Sequence, residues 1–378
     1  MHGPTYLDCN ATTPLDPEVR DEMLRMFDIE YGNPGSRTHA FGAKAKVEVN
    51  DARQKVAAVV GANPEDVVFT SGATESNNIA IFGLAKHGRA KGLRRIVTTA
   101  IEHKSVLEPC AALAAEGFEV VTVAPRGGGR VQVEDVLAAA SPDTLLVSVM
   151  HVNNETGVVQ SVAEIAEGLA GRDCFLHCDA AQGFGKEFEQ LRHPGIDLVS
   201  VSGHKMYAPK GVGALVMKRR KGRRPPMAPV LVGGGQELGL RPGTLAAPLI
   251  VALGKAAEIA VRDRDRRRKA CERLRVEALE ALSPFAPEVN GDPEHTLPHT
   301  LNVSLPGLRS EALMLALKDV IAVSNGSACT SNSYESSHVL KAMGLSPERV
   351  AGALRLSWCH MTLSPDWKAV AEGIRLML

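Results

Sequence analysis

The sequence has no net charge, no long apolar run and no recognisable signal segment. Its 43 basic residues balance 43 acidic ones, so charge gives no general attraction to nucleic acid or to an anionic membrane. No apolar run approaches the roughly 18–20 residues that a membrane-spanning helix needs. The first residues lack the basic-then-apolar pattern of a secretory signal. We therefore expect a globular cytoplasmic protein that contacts neither nucleic acid nor membrane directly.

The cysteines lack any pattern of paired spacing. There are seven of them, scattered along the chain, and none forms a CxxC pair. A disulfide framework or a metal site is therefore not expected, and most of these thiols should be small core residues. Cys329 differs, because it lies in SNGSACTSNS (324–333), where no neighbouring residue is large enough to bury it.

Between residues 50 and 250, short apolar and β-branched runs alternate with helical patterns. Strands are predicted at 66–70, 94–100, 119–125, 144–150, 174–180, 196–202 and 213–217. Helices are predicted between them, for example at 133–140 and 162–170. Near-continuous apolar strands that alternate with helices predict an α/β fold with a mostly parallel sheet covered on both faces.

The length of 378 residues suits two packed domains. A long helical region is predicted from about Pro248 to Leu282, and the different alternation of strands and helices after it predicts a smaller α/β domain. We therefore predict a large domain at 16–250 and a small domain at 1–15 and 251–378 that carries the Cys329 loop. The basic stretch KRRKGRRPP (218–226) is interpreted as an exposed turn, with partner binding as the less favoured alternative.

Polar clusters follow several predicted strands, where open α/β sheets bind their ligands. TSGATESNN (70–78) predicts a helix that starts near Thr74 and whose N-terminus suits a phosphate, although Ser and Thr also cap helices that bind nothing. In CDAAQGFGK (178–186), Asp179 ends an apolar strand, where a carboxylate is costly unless it is paired. In SVSGHKMYAPKG (200–211), Lys205 is either a functional amine or an ordinary lysine in a surface turn.

Taken together, a phosphate cradle, a strand-end aspartate and a strand-end lysine predict a site for pyridoxal 5'-phosphate. The lysine would form a Schiff base with this cofactor, and Asp179 would keep the ring nitrogen protonated. A fourth cluster, TAIEHKSV (99–106), places His103 after another strand. It could stack on the cofactor ring or move protons, although a lone histidine is usually structural.

The sequence resembles the cysteine desulfurases, the NifS/IscS-like branch of the fold-type I pyridoxal phosphate transferases. The resemblance covers nearly the whole chain. It rests on the motifs YLDCNATTPLDP, GNPGSRTHAFG, FTSGATESNN, EHKSVL, SVMHVNNETGVVQ, HCDAAQGFGK, SGHKMYAPKGVGAL, GGGQELGLRPGT, SNGSACTS and LRLSW.

The resemblance implies roles for individual residues by their position in these motifs. The implied catalytic residues are Lys205, Cys329 and His103. The implied cofactor contacts are Ala73, Thr74, Ser202, His204 and Thr244 at the phosphate, Asp179, Gln182 and His103 at the ring, and Asn154 and Lys205. The implied substrate contacts are Arg355, Asn154 and Asn33. Thr244 would reach the phosphate from a second subunit, which implies a homodimer with shared active sites.

The resemblance also implies a reaction and a pathway. L-cysteine would become L-alanine while the Cys329 thiolate takes the sulfur as a persulfide and passes it to acceptor proteins. Small residues around Cys329 suit a loop that moves between the cofactor and an acceptor. The cysteine motif matches the long-loop group of the family, and several segments look most like desulfurases of DNA phosphorothioation systems, of the DndA or Ssp type.

Other functions stay open at this point. IscS-type enzymes carry a further C-terminal extension, whereas the last predicted helix lies close to Leu378, and this favours the DndA type over a general iron–sulfur or tRNA-thiolation desulfurase. A selenocysteine lyase or an aminotransferase would not use Cys329. A non-catalytic scaffold would not bind the cofactor.

Overall fold

The computed structural model describes residues 3–326 and 336–378. Cys329 and its loop lie outside the described residues, so the expected movement of this loop stays a prediction. The strands in the described part of the chain are β1 (Thr5–Tyr6), β2 (Val67–Thr70), β3 (Arg95–Thr99), β4 (Glu119–Val123), β5 (Thr144–Ser148), β6 (Phe175–Asp179), β7 (Leu198–Ser202), β8 (Gly213–Met217), β9 (Glu288–Val289), β10 (Thr300–Ser304), β11 (Ile321–Ala322) and β12 (Ala353–Ser357).

The α-helices of the same residues alternate with these strands through the first two thirds of the chain. They are α1 (Pro17–Asp28), α2 (Ala40–Val59), α3 (Ala73–Lys91), α4 (Lys104–Ala115), α5 (Val133–Ala139), α6 (Val162–Gly168), α7 (Ala247–Arg262), α8 (Arg264–Leu282), α9 (Ser310–Leu317), α10 (His338–Ala342), α11 (Pro347–Ala351) and α12 (Trp367–Arg375).

The main sheet has seven strands in the order β2-β8-β7-β6-β5-β3-β4. The five strands from β7 to β4 in this order are parallel, whereas β8 is antiparallel to both β2 and β7. Successive side chains point to opposite faces of a strand. Accordingly, Ile96 packs with α3 and α4, while Val97 belongs to the core under α1, α2 and α7. The seven predicted strands and the mostly parallel α/β sheet are therefore confirmed.

A second, smaller core forms around the antiparallel sheet β12-β10-β9. The predicted long helix is two helices that meet at Asp263. The buried residues of α7 pack into the core of the main sheet, whereas Cys271 and Leu274 of α8 pack into the small core. The domain boundary predicted between residues 250 and 251 falls inside α7, and the change from one core to the other comes at Asp263.

The basic segment 218–226 is bound to the rest of the chain by ion pairs and hydrogen bonds. Arg219 and Arg224 both bind Asp66, Arg220 binds Asp197, and Lys218 Nζ donates to backbone carbonyls. Most of its cationic groups are therefore already occupied within the chain. Among residues 3–326 and 336–378, no helix combines the length and the apolar character that crossing a membrane requires.

Candidate active site

A cavity of about 520 Å³ opens at the carboxyl ends of the parallel strands. Parallel strands bring their carboxyl ends to one edge, so motifs far apart in sequence meet there. Ten residues that the sequence singled out line this cavity: Ala73, Thr74, His103, Asn154, Asp179, Gln182, Ser202, His204, Lys205 and Arg355. Most of them follow a strand of the main sheet, and Arg355 comes from β12 of the small sheet.

Three predicted site residues are not among these. Asn33 and Thr244 are exposed and do not line the cavity of their own chain. Cys329 lies outside the described residues. The roles predicted for these three residues remain predictions.

Lys205 ends a single 3-10 turn, Gly203–Lys205, that follows β7 directly. Its Nζ donates hydrogen bonds to Asn10 O at 2.5 Å and to Ala11 O at 2.9 Å. Glycine at position 203 lets the backbone of Val212 approach closely, because a Cβ there would lie 2.9 Å from Val212 O. The N-terminal segment therefore orients the lysine amine inside the cavity.

Asp179 is the last residue of β6 and is only 5% exposed. Its two carboxylate oxygens accept hydrogen bonds from the neutral donors Asn77 Nδ2, at 2.8 Å, and Ala181 N, at 3.0 Å. Neutral donors orient a carboxylate without cancelling its charge. Asp179 is therefore suited to stabilise a positive charge in the cavity, such as a protonated pyridine nitrogen.

His103 caps the N-terminus of α4, and this role fixes its tautomer. Its Nδ1 accepts a hydrogen bond from Ser105 N at 3.1 Å and lies 2.8 Å from Ser105 Oγ. A ring nitrogen that accepts a backbone N–H carries no proton, so the neutral ring is protonated at Nε2. Asn77 Nδ2 donates to Ser105 Oγ at 2.9 Å as well as to Asp179. Asp179, Asn77, Ser105 and His103 thus form one continuous chain of hydrogen bonds.

The phosphate end of the cavity is formed by the N-terminus of α3 and by the residues after β7. The N–H groups of the first turn of α3, which begins at Ala73, have no partners within the helix and suit an anion. Burial, together with Lys205 and Lys210, lowers the pKa of His204 to about 4. His204 is therefore neutral near pH 7 and would contribute a hydrogen bond rather than a charge.

Arg355 also lines the cavity and is only 2% exposed. Its Nη2 donates to Asp8 Oδ1 at 2.7 Å, and its Nη1 donates to Asn154 O at 3.0 Å. Its Nε is buried without a hydrogen-bond partner among the described residues. A guanidinium held in this way by its neighbours is pre-oriented for a substrate carboxylate.

The donor set of the cavity fits pyridoxal 5'-phosphate. An amine, a buried carboxylate, a helix N-terminus and an imidazole ring surround one space, and each matches a different part of this cofactor. Within the described residues, no cluster of His, Cys, Asp and Glu side chains has the arrangement of a metal site.

Sequence reasoning missed several residues that hold these groups in place. Asn77 binds Asp179, Ser105 binds His103, Asp8 binds Arg355, and Asn10 O accepts from both Lys205 and Gln182. One signal was available for Asn77. It lies one helical turn after Ala73 and therefore on the same face of α3 as the cavity.

The chain is similar to several known proteins. The family model for aminotransferase class-V matches residues 5–368. The cysteine desulfurase IscS of Anaeromyxobacter dehalogenans is 48% identical over 359 residues, which cover 94% of this chain and 87% of that protein. The chain belongs to the cysteine desulfurases of this family. It is therefore an enzyme, and its cofactor is pyridoxal 5'-phosphate.

Two solved structures show the same fold. A NifS-like protein superimposes with a TM-score of 0.88 at 36% identity, covering 99% of this chain and 98% of that one. DndA from Streptomyces lividans superimposes with a TM-score of 0.82 at 48% identity, covering 96% and 100%. The predicted fold class, enzyme class and cofactor are confirmed.

Proposed function

We propose that this cysteine desulfurase converts L-cysteine to L-alanine and holds the removed sulfur as a persulfide on Cys329 before passing it to an acceptor protein. One observation carries the proposal. Lys205, Asp179 and Arg355 line a single cavity, so an amine, a buried carboxylate and a carboxylate-binding guanidinium face the same space.

The chain's own residues divide the work of the first step. Arg355 would bind the substrate carboxylate, and Asn154, whose carbonyl accepts from Arg355, would contact the substrate beside it. Lys205 Nζ would take the Cα proton, because Asn10 O and Ala11 O direct this amine into the cavity. When bound, pyridoxal phosphate supplies an electron sink that makes this proton acidic, and Asp179 keeps the sink protonated at its ring nitrogen.

The second step moves the sulfur. The Cys329 thiolate attacks the substrate sulfur, an S–S bond forms and the substrate C–S bond breaks. The electron pair of the broken bond stays on carbon, which takes up a proton and leaves as L-alanine. Only the thiolate is a nucleophile, so a nearby group must hold the thiol proton. The resemblance assigns acid–base work in this step to His103, whose ring Ser105 holds in one orientation.

A second copy of this chain would complete the site. Thr244 and Asn33 are exposed and lie away from the cavity of their own chain. The resemblance assigns Thr244 to the phosphate of the other subunit. We therefore propose a homodimer with shared active sites, and we propose the cytoplasm as its location.

The acceptor proteins would belong to a DNA phosphorothioation pathway. The 48% identity to DndA over 96% of this chain supports this assignment. Iron–sulfur cluster assembly is the second candidate, and the curated relatives fit it better, since IscS of A. dehalogenans is 48% identical over 94% of the chain.

The activity is tested by following alanine and sulfide after L-cysteine is added to the enzyme loaded with cofactor. The enzyme should absorb near ~420 nm, as a lysine bound to this cofactor does, and should form alanine. Cys329→Ala should keep the absorbance and lose sulfur release. A variant that released sulfide at the full rate would show that Cys329 is not the nucleophile.

The pathway is tested by a pull-down followed by transfer of labelled sulfur to the captured proteins. Label on a subunit of a DNA-modifying complex supports phosphorothioation. Label on an iron–sulfur scaffold instead would assign the chain to the second candidate.

A further inference from the structure

The carboxylate of Glu155 bonds to Ser337 and lies close to Gly326, two residues on either side of segment 327–335 of the chain. Ser337 Oγ donates a 2.5 Å hydrogen bond to Glu155 Oε2. On the other flank, a Cβ built on Gly326 would lie 3.0 Å from this same oxygen. We call Gly326 and Ser337 the stem residues, because Cys329 lies between them in sequence. One carboxylate oxygen is therefore hydrogen-bonded to one stem and lies close to the backbone of the other.

Each stem is also attached to one element of the active site. The backbone of Ser324, whose Oγ accepts from Gly326 N at 3.0 Å, forms a bridge with the backbone of Arg355. On the other side, His338 Nε2 lies 2.9 Å from Glu102 O, next to His103 in the chain. One stem is thus linked to the strand that carries Arg355. The other is linked to the loop that carries His103, the candidate acid–base residue.

Gly326 is the residue type that this arrangement requires. Its φ of +90° belongs to the region that favours glycine. Any larger side chain would also press on the Glu155 carboxylate, since its Cβ would lie 3.4 Å from Cγ and Cδ. The close approach of this stem to Glu155 therefore requires glycine at position 326, both for its backbone conformation and for its lack of a side chain.

Glu155 itself is held firmly in a turn and is only 2% exposed. Its N–H donates to Asn153 Oδ1 at 2.9 Å, and its carbonyl accepts from Asn302 Nδ2 at 3.1 Å. Its backbone neighbour is Asn154, which lines the cavity. The turn satisfies its own backbone without the Glu155 carboxylate, which reaches away from the turn to the stems.

The charges around Glu155 suit this contact. Burial raises the pKa of the Glu155 carboxyl, and the Ser337 hydroxyl together with His338, Arg355 and His103 offsets only part of that rise. These neighbours all lie around the carboxyl, so its contact with Ser337 belongs to a wider polar cluster.

We propose that Glu155 is a positioning residue that holds both ends of the Cys329 segment at the substrate side of the cavity. The inference rests on the proposed function, because it concerns how the residue that receives the sulfur is presented. Glu155 takes no part in the bond changes. It acts on the second step, sulfur transfer, and leaves L-cysteine binding and cofactor binding unchanged.

The test uses the enzyme loaded with cofactor and three variants, Glu155→Ala, Glu155→Gln and Ser337→Ala. Ser346→Ala is a matched control, because Ser346 caps the neighbouring helix α11 as Ser337 caps α10 but does not contact Glu155. We expect Glu155→Ala and Ser337→Ala to lower kcat for alanine by about tenfold, as a misplaced reacting group does. KM for L-cysteine and the absorbance change on adding L-cysteine should stay as in the wild type.

Glu155→Gln should recover much of the lost rate, because its amide oxygen still accepts from Ser337. The Glu155→Ala, Ser337→Ala double variant should be no worse than the poorer single variant, since both remove one contact. Additive losses would show that the two residues act independently. A kcat of Glu155→Ala equal to that of Ser346→Ala would overturn the proposal.

Hydrogen exchange gives a readout that does not depend on activity. Amides of residues 337–342 should exchange faster in Glu155→Ala and Ser337→Ala than in the wild type, and those of Ser346→Ala should not. Unchanged exchange would contradict the contact. If the wild-type enzyme formed no alanine from L-cysteine, the proposed function would be wrong. Hydrogen exchange would still show whether Glu155 holds the stems.

Discussion

The two sides of the cavity are built in different ways. The cofactor side, with Asp179, Ser202 and Lys205, stands on the ends of neighbouring parallel strands of one sheet. The substrate side combines Arg355 of the small sheet with the turn that carries Asn154 and Glu155. The cofactor side is therefore fixed by one core, whereas the substrate side depends on how two cores meet.

The N-terminal segment joins these two sides. Asp8 binds Arg355, while Asn10 O accepts from Lys205 and Gln182. The side chain of Asn10 also donates to Asn154 O at 3.0 Å. The difference between the sides suggests that changes on the cofactor side should abolish chemistry, and that changes on the substrate side should alter binding or presentation of the substrate.

Lys205→Ala gives the largest expected effect. Loss of the amine removes both the cofactor attachment and the proton acceptor, so alanine formation should fall by about a thousandfold or more. The absorbance near ~420 nm should also be lost. Lys221→Ala, at an exposed lysine, is the control and should keep both. An active Lys205→Ala enzyme would contradict the expectation that changes on the cofactor side abolish chemistry.

Arg355→Lys should lower kcat/KM for L-cysteine by about a hundredfold, because a lysine cannot form two parallel hydrogen bonds to a carboxylate. The effect should appear mainly in KM, with the absorbance of the bound cofactor unchanged. Arg349→Lys is a matched control in the same domain, since Arg349 binds Asn290 and Glu288 rather than the cavity. A loss confined to kcat would place Arg355 outside substrate binding.

Asn77→Ala should weaken cofactor binding by about tenfold, because Asp179 loses a hydrogen bond that orients its charge. Titration of the cofactor-free enzyme with pyridoxal phosphate measures the change. Asn78→Ala should have little effect, since Asn78 Nδ2 donates to Thr74 O of its own helix. Equal effects of the two variants would mean that Asn77 does not act through Asp179.

Glu102→Gln should have the smallest effect on activity but should change how stability depends on pH. Burial raises the pKa of Glu102 to about 8. In the unfolded chain this pKa is about 4.3, so between these values the folded state holds a proton that unfolding releases. Stability from this group is therefore present at low pH and is lost as pH rises towards about 8.

Glutamine removes this dependence and keeps the acceptor that Met150 N and the Thr99 hydroxyl require. The difference in the free energy of unfolding between Glu102→Gln and the wild type should shift in favour of the variant between pH 5 and pH 8. A difference that stays constant over this range would show that Glu102 is ionised in the folded protein.

The sequence was more informative about the cofactor side than about the substrate side. Asp179, Ser202 and Lys205 follow apolar strands within a few residues, so periodicity alone predicts that they meet at one sheet edge. Arg355 and Asn154 were reached only through the family resemblance. The pairings of Glu155 with Ser337 and of Asp8 with Arg355 join residues 182 and 347 positions apart, and no local pattern predicts such contacts.

The predicted long helix shows a second limit of local patterns. Residues 248–282 were predicted as one helical region, whereas the structure divides them into two helices at Asp263. What changes there is the core into which each helix packs, and this depends on the tertiary fold rather than on periodicity.

The most direct test is the mass of the peptide that contains Cys329 after one equivalent of L-cysteine is added to the loaded enzyme. We predict a gain of about 32 Da, one sulfur atom held as a persulfide, that appears together with one alanine and is removed by a reducing thiol. Alanine formed with no added mass on Cys329, and at the same rate in Cys329→Ala, would contradict the account.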